Sequence, residues 1–167
     1  MQLPYRKPGK YSQTETDYVI SQKKFDQLTN TLAQLRDARP SAALEVSRLA
    51  ELGDFSENVE YQLAKRKLRG INTKILYIEN DLNRAIIIAP KNNTRVDVGH
   101  FVTVLFNEKK VTYQILGSKE TDPSKGIISQ HSPIGQAMIG KKVGDHIQIL
   151  LPTGTVEYTI QKIAMKK

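Results

Sequence analysis

Cysteine is absent from all 167 residues, which excludes disulfides, thiolate metal sites and thiol nucleophiles at once. Histidine is scarce. The three present, His100, His131 and His146, stand at no zinc-ligand or catalytic-triad spacing from another candidate, so each reads as a structural or exposed ring. Neither a G-x-x-x-x-G-K-S/T phosphate loop nor a G-x-G-x-x-G strand-to-helix turn occurs. No apolar run is long enough to cross a membrane, and the N-terminus lacks the apolar core of a signal peptide; a cytoplasmic protein with no membrane partner is expected. Acidic residues are in deficit. With 25 Lys and Arg against 17 Asp and Glu, the formal net charge is +8, which points to an anionic partner because cations gain by displacing counterions from a phosphate chain.

What the chain does have is two long heptad-patterned stretches. Phe25, Leu28, Leu32, Leu35, Arg39, Ala42, Val46 and Leu49 follow alternating spacings of three and four, with Arg39 the one polar member. Tyr61, Ala64, Leu68, Ile71, Ile75, Ile78, Leu82 and Ala85 repeat the pattern without a break. Two such stripes joined by a short Gly-containing turn bury their seams by folding back into an antiparallel coiled coil, with the turn at the far end. Each arm would reach roughly 45 to 50 Å at the rise of an α-helix. Pro40 interrupts the first arm and predicts a kink or short break beside Arg39.

On either side the character changes. Residues 1–15 carry Arg6, Lys7 and Lys10 with two prolines and read as a flexible basic tail, ahead of a hairpin over 16–89. After the turn-rich Ala89-Pro90-Lys91-Asn92-Asn93 the hydrophobic period becomes two, and 90–167 forms the last part. Val102, Val104 and Phe106 pass through a turn at Asn107–Lys110 into Val111, Tyr113 and Ile115. Ile147, Ile149 and Leu151 pass through Pro152-Thr153-Gly154 into Val156, Tyr158 and Ile160. These are hairpins with one buried face. Ser132-Pro133-Ile134-Gly135-Gln136-Ala137-Met138-Ile139-Gly140 predicts a short helix opened by Pro and closed by Gly. The fold class is therefore α+β, an antiparallel helical hairpin followed by a small antiparallel-sheet domain with a short helix.

The turn of the hairpin, 53–58, holds the chemistry. In Gly53-Asp54-Phe55-Ser56-Glu57-Asn58 two carboxylates stand three residues apart. That is the spacing of a capping box, with Asp54 as N-cap and Glu57 at the third helical position. It is also a spacing at which both carboxylates lie on one side of a first helical turn and share a divalent ion. Two carboxylates suit magnesium but leave an octahedral shell for water or a partner to complete. Downstream, Lys65, Arg66 and Arg69 form a basic stretch outside the seam, either a solvated helix face or a contact for an anion.

The run Gly-Asp-Phe-Ser-Glu-Asn-Val-Glu-Tyr from Gly53, with Gln62 and Ala64-Lys65-Arg66-Lys67-Leu68-Arg69 after it, closely resembles the coiled-coil tip of the bacterial Gre transcript-cleavage factors. Arg39-Pro40, Ser132-Pro133-Ile134-Gly135-Gln136-Ala137 and Lys141-Lys142-Val143-Gly144-Asp145 fit the same family. Ser56 and the basic run look more like its GreB branch than GreA. The resemblance covers about Tyr18 to Ile163. The tail lies outside it, and Val19-Ile20-Ser21-Gln22-Lys23-Lys24 lacks the glycine that the family pattern places after the helix start.

The resemblance implies an FKBP-like C-terminal domain that docks at the mouth of the secondary channel of RNA polymerase, while the coiled coil reaches down to the active site. There Asp54 and Glu57 would help hold a magnesium ion shared with polymerase, and polymerase would hydrolyse the extruded 3′ end of backtracked nascent RNA. It implies that Lys65, Arg66 and Arg69 contact that RNA and that Ser132, Pro133 and Ile134 touch the channel rim. The factor would be a monomer that activates polymerase, not an enzyme on its own, and its FKBP-like fold implies no isomerase activity. Two rivals are a channel-binding regulator that inhibits without stimulating cleavage, and a basic coiled-coil module that binds nucleic acid without polymerase.

Overall fold

The computed structural model describes residues 17–53, 58–89, 92, 94–151 and 154–165. The expected tail at 1–15, the tip acids Asp54 and Glu57, and Pro152 and Thr153 lie outside them. The hairpin is built from α1 (Gln22–Ala50) and α2 (Val59–Arg84). Every seam position named above is buried or half-buried except Arg39, which is exposed. Leu32, Ala42, Ile71 and Ile75 form its buried cluster, with Leu35, Leu68, Ile78 and Leu82 packed against it. Burying each isoleucine stabilises the pair by about 1.5 to 3 kcal/mol. The exposed Arg36–Glu79 bridge at 2.7 Å also crosses between the helices, and at that exposure it adds little.

Pro40 does not break the first arm. α1 runs continuously from Gln22 to Ala50 with Pro40 inside it. The proline removes the donor for the carbonyl of Arg36, an exposed residue, so water can take the place of the missing N–H. Ser41 Oγ donates to the Ala38 carbonyl at 2.9 Å one residue on. Seam residues Leu35 and Ala42 pack on both sides of the proline, and tertiary packing of that kind outweighs local propensity.

Short strands frame the hairpin. β1 (Val19–Ile20) and β2 (Ile86–Ile87) pair in parallel where α1 begins and α2 ends. Two-residue strands carry no readable period, so the sequence pattern did not display them.

The C-terminal domain contains β3 (Phe101–Phe106), β4 (Lys109–Leu116), β5 (Ile127–Ser129), α3 (Pro133–Met138), β6 (His146–Leu151) and β7 (Gly154–Ala164). Its sheet has the order β5-β4-β3-β7-β6. Both expected hairpins are present as antiparallel pairs, β3–β4 and β6–β7, and β3 also pairs antiparallel with β7. The added β5 lies parallel to β4 at one edge. Asn107 and Glu108 both have positive φ, 45° and 62°, so the β3–β4 turn is a tight two-residue one of the kind that matches strand twist.

Val102, Val104, Ile115, Ile147, Ile149, Tyr158 and Ile160 point into one core with Met138 of α3. The pairing of β3 with β7 shifts register between Thr103 and Val104, whose partners are Lys162 and Ile160. That bulge leaves Gln161 unpaired and lets Ile163 return to the buried face after Ile160. Gly135 makes the crossing of α3 over β5 possible, because a Cβ there would lie 2.2 Å from the Ser129 carbonyl oxygen.

Candidate functional site

α1 ends at Ala50 with Glu51 as its C-cap, and the Gly53 N–H donates to the Ala50 carbonyl at 3.3 Å. Gly53 sits at φ +72°, a left-handed conformation that favours glycine. On the far side of the turn, Asn58 caps α2. Its side-chain oxygen accepts from the Tyr61 N–H at 3.0 Å, and α2 starts at Val59. Asp54 and Glu57 lie outside the described residues, between these two helix ends.

The capping reading of the acid pair is thereby corrected. Asn58 makes the cap of α2, and the third helical position after it is Tyr61, so the described start of this helix is not the one that the Asp54–Glu57 spacing offered. The signal was present in the sequence, since Asn is as good an N-cap as Asp. It was masked by the stronger Asp-x-x-Glu pattern four residues earlier.

Lys65, Arg66 and Arg69 lie exposed on the second and third turns of α2. With Gln62 and Leu63 they line a shallow recess of about 300 Å³. The Lys65 ammonium lies 5.6 Å from the centre of the Tyr61 ring. Among the described residues no carboxylate forms an ion pair with any of the three, so their charge is free to meet an anion.

Ser132, Pro133 and Ile134 turn out to have separate roles. Ser132 Oγ accepts from the Gly135 N–H at 3.0 Å and donates to the Ser129 carbonyl at 2.7 Å, which makes it the N-cap of α3. Pro133 is the first helical residue and is exposed. Ile134 is half-buried and packs on the domain core. Of the three, Pro133 presents itself most openly to a partner.

The histidines are structural or peripheral, as expected. His100 is fully buried, and its Nδ1 accepts from the Asp97 N–H at 3.0 Å. His131 Nε2 lies 3.4 Å from Asp17, and His146 Nδ1 lies 3.0 Å from Thr159 Oγ1. Among the described residues no three His, Asp or Glu side chains gather as metal ligands, and no helix is long and apolar enough to cross a membrane.

A long helical hairpin, closed by an acidic turn and mounted on a curled mixed sheet, defines a class of protein that presents a small polar tip far from its globular part. Residues 18–87 match the family model described as transcription elongation factor, N-terminal, and residues 91–165 match that of transcription elongation factor, GreA/GreB, C-term. The chain belongs to the GreA/GreB family of transcription elongation factors. It is 39% identical over 144 residues to transcription elongation factor GreA of Nautilia profundicola, covering 83% of this chain and 89% of that one. It is also 39% identical to GreA of Novosphingobium aromaticivorans over 142 residues, 83% of this chain and 90% of that one.

Among solved structures, GreA factor homolog 1 of Thermus thermophilus overlaps 87% of this chain and 97% of its own, at 23% identity and a TM-score of 0.41. The relatives are named GreA, so the leaning toward the GreB branch drawn from Ser56 and the basic run finds no support among them.

Proposed function

We propose that this chain stimulates the cleavage of backtracked nascent RNA by RNA polymerase, reaching the active site with its hairpin through the secondary channel. Membership of an elongation-factor family implies a polymerase partner. The observation that carries it is that Asn58, and not the acid pair, caps α2. The capping of α2 then accounts for Asn58 and leaves two carboxylates close together in the sequence between the helices, where their like charges repel.

Carboxylate oxygens are the donors that magnesium prefers, and a pair of them fits a shared site better than a complete one. Asp54 and Glu57 would hold the ion together with ligands from polymerase. When bound, such an ion lowers the pKa of water and offsets charge developing on the phosphate. The part played by the chain is to bring two negative oxygens to that place and hold them there. Lys65, Arg66 and Arg69 stand about 9 to 15 Å back from the start of α2, by the rise per residue, on a face where the displaced RNA strand would pass. Pro133 would meet the channel rim, on a domain whose sheet and crossing helix fit an FKBP-like description. The factor itself is no enzyme on this reading, because the first metal and the scissile bond belong to polymerase; it acts as a monomer in the cytoplasm.

Polymerase complexes backtracked on RNA test the proposal directly. Added protein should accelerate release of the 3′ fragment, without cleaving free RNA. Slower transcription with no fragment would identify an inhibitory channel regulator. Tight, steeply salt-dependent binding to free RNA with no effect on polymerase would identify a nucleic-acid module.

A further inference from the structure

The foot of the hairpin is joined to the sheet domain at one compact junction. The Ile86 N–H donates to the Tyr18 carbonyl and the Ile88 N–H to the Ile20 carbonyl, each at 2.9 Å, so the chain entering α1 is tied to the chain leaving α2. From the sheet domain, the turn after β4 rises against β1. Ser21, the N-cap of α1, gives both its N–H and its hydroxyl hydrogen to the Glu120 carboxylate, at 2.6 Å each. Asp17, whose side chain is 4% exposed, accepts from the Val19 N–H at 2.8 Å, the Ser118 N–H at 3.2 Å and Gln130 Nε2 at 2.9 Å. Burial raises the pKa of its carboxyl, but those three donors, together with the His131 ring beside it, outweigh burial and hold it below the usual value. Lys119 bonds to Asp81 of α2 and lies 4.6 Å from the centre of the Tyr18 ring.

Gly117 stands at the centre of this junction. A Cβ on it would lie 1.7 Å from the Val19 carbonyl oxygen and 2.9 Å from the Val19 carbonyl carbon. Its own backbone, at φ −69° and ψ 161°, is in an extended conformation that any residue adopts. The turn therefore has no need of glycine. What refuses a side chain at 117 is the backbone of β1, across the junction.

We propose that Gly117, together with Asp17 and Glu120, forms a positioning clasp that fixes the angle between the hairpin and the sheet domain, and so aims Asp54 and Glu57. The functional half of this rests on the reading of the tip given under Proposed function; the mechanical half does not. α2 has 26 residues and spans roughly 39 Å, so a tilt of about 10° at the foot moves the tip by about 7 Å. Misplacing a reacting group by about 1 Å already costs on the order of 100-fold in rate. A clasp that holds the angle to a degree or two is what a remote pair of metal ligands requires.

The absence of cysteine allows a clean measurement. Spin labels on Leu44→Cys, exposed near the far end of α1, and on Lys110→Cys, exposed beside the β3–β4 turn, report the angle between the two parts. Introducing Gly117→Ala should shift the mean label distance by several Å or broaden its distribution, while amide exchange in β3 and β7 stays as in the parent. Its stimulation of RNA cleavage by backtracked polymerase should fall at least ~10-fold at saturating factor. Asp17→Asn and Glu120→Gln, which add no bulk, should broaden the same distribution and carry the test if Gly117→Ala fails to fold. An unchanged distance distribution in the folded variants overturns the clasp. A changed distribution with undiminished cleavage overturns its role in aiming the tip. Should the parent itself stimulate no cleavage, the proposed function fails, and the distances alone decide whether the clasp exists.

Discussion

At the scale of single residues, the structure separates groups that the sequence runs together. Asn58 holds the N-terminus of α2 through its side chain, so Asn58→Ala should lower stability by about 1 kcal/mol while Asn58→Asp changes it little. Asp54→Asn and Glu57→Gln should leave the urea midpoint of the folded chain unchanged. The residues proposed to dock divide in the same way. Ile134 packs against the sheet core, so a charge there would be buried without a partner and should unfold the domain. Pro133→Glu is the clean probe of docking, and it should weaken polymerase binding with no change in melting temperature. If Pro133→Glu binds polymerase like the parent, the rim contact lies elsewhere.

At the scale of elements, both seams were readable because each keeps a single helical period over seven turns or so, and a buried stripe on a helix has no other way to repeat. The first pair of sheet strands was readable for the same reason with a period of two. The strands that escaped, β1, β2 and β5, are two or three residues long and show no period at all. Pro40 misled in the other direction. Its local preference for a helix end is real, but with Leu35, Ala42, Ile71 and Ile75 packed around it α1 continues through the proline without a break. A proline retained in a helix interior still costs about 3 kcal/mol against alanine. Pro40→Ala should therefore raise the stability of the hairpin by about 1 to 3 kcal/mol, measured by urea unfolding followed by helical circular dichroism; an unchanged or lowered midpoint would show that the proline is accommodated without strain. The tip motif was legible in a different sense. Its residue types pointed to carboxylate chemistry while the same spacing offered a cap, and the start of α2 at Val59 assigns the cap of that helix to Asn58.

At the scale of the whole molecule, the net charge of +8 and the open cations along α2 suit a protein that works against a polyanion. Replacing Lys65, Arg66 and Arg69 together with alanine should slow cleavage of long extruded RNA more than that of dinucleotide ends. The difference should shrink as salt rises, because screening weakens the same attraction in the parent. Equal losses on short and long RNA would place these residues in docking or folding instead. The hairpin and the sheet domain meet through the Asp17, Gly117 and Glu120 junction, so the molecule has a foot that fixes direction and a tip that carries charge.

The central claim is that Asp54 and Glu57 serve a shared magnesium ion and not the helix. The direct measurement is the rate of transcript cleavage in purified backtracked polymerase complexes, with saturating parent, Asp54→Asn or Glu57→Gln protein, across a series of magnesium concentrations. Either amide keeps the shape of the side chain and removes the charge that attracts the ion. Each variant should bind polymerase like the parent and stimulate cleavage at least ~10-fold less, equivalent to about 1.4 kcal/mol at the transition state, with part of the loss recovered at high magnesium. Variants that cleave like the parent at every magnesium concentration would contradict the account.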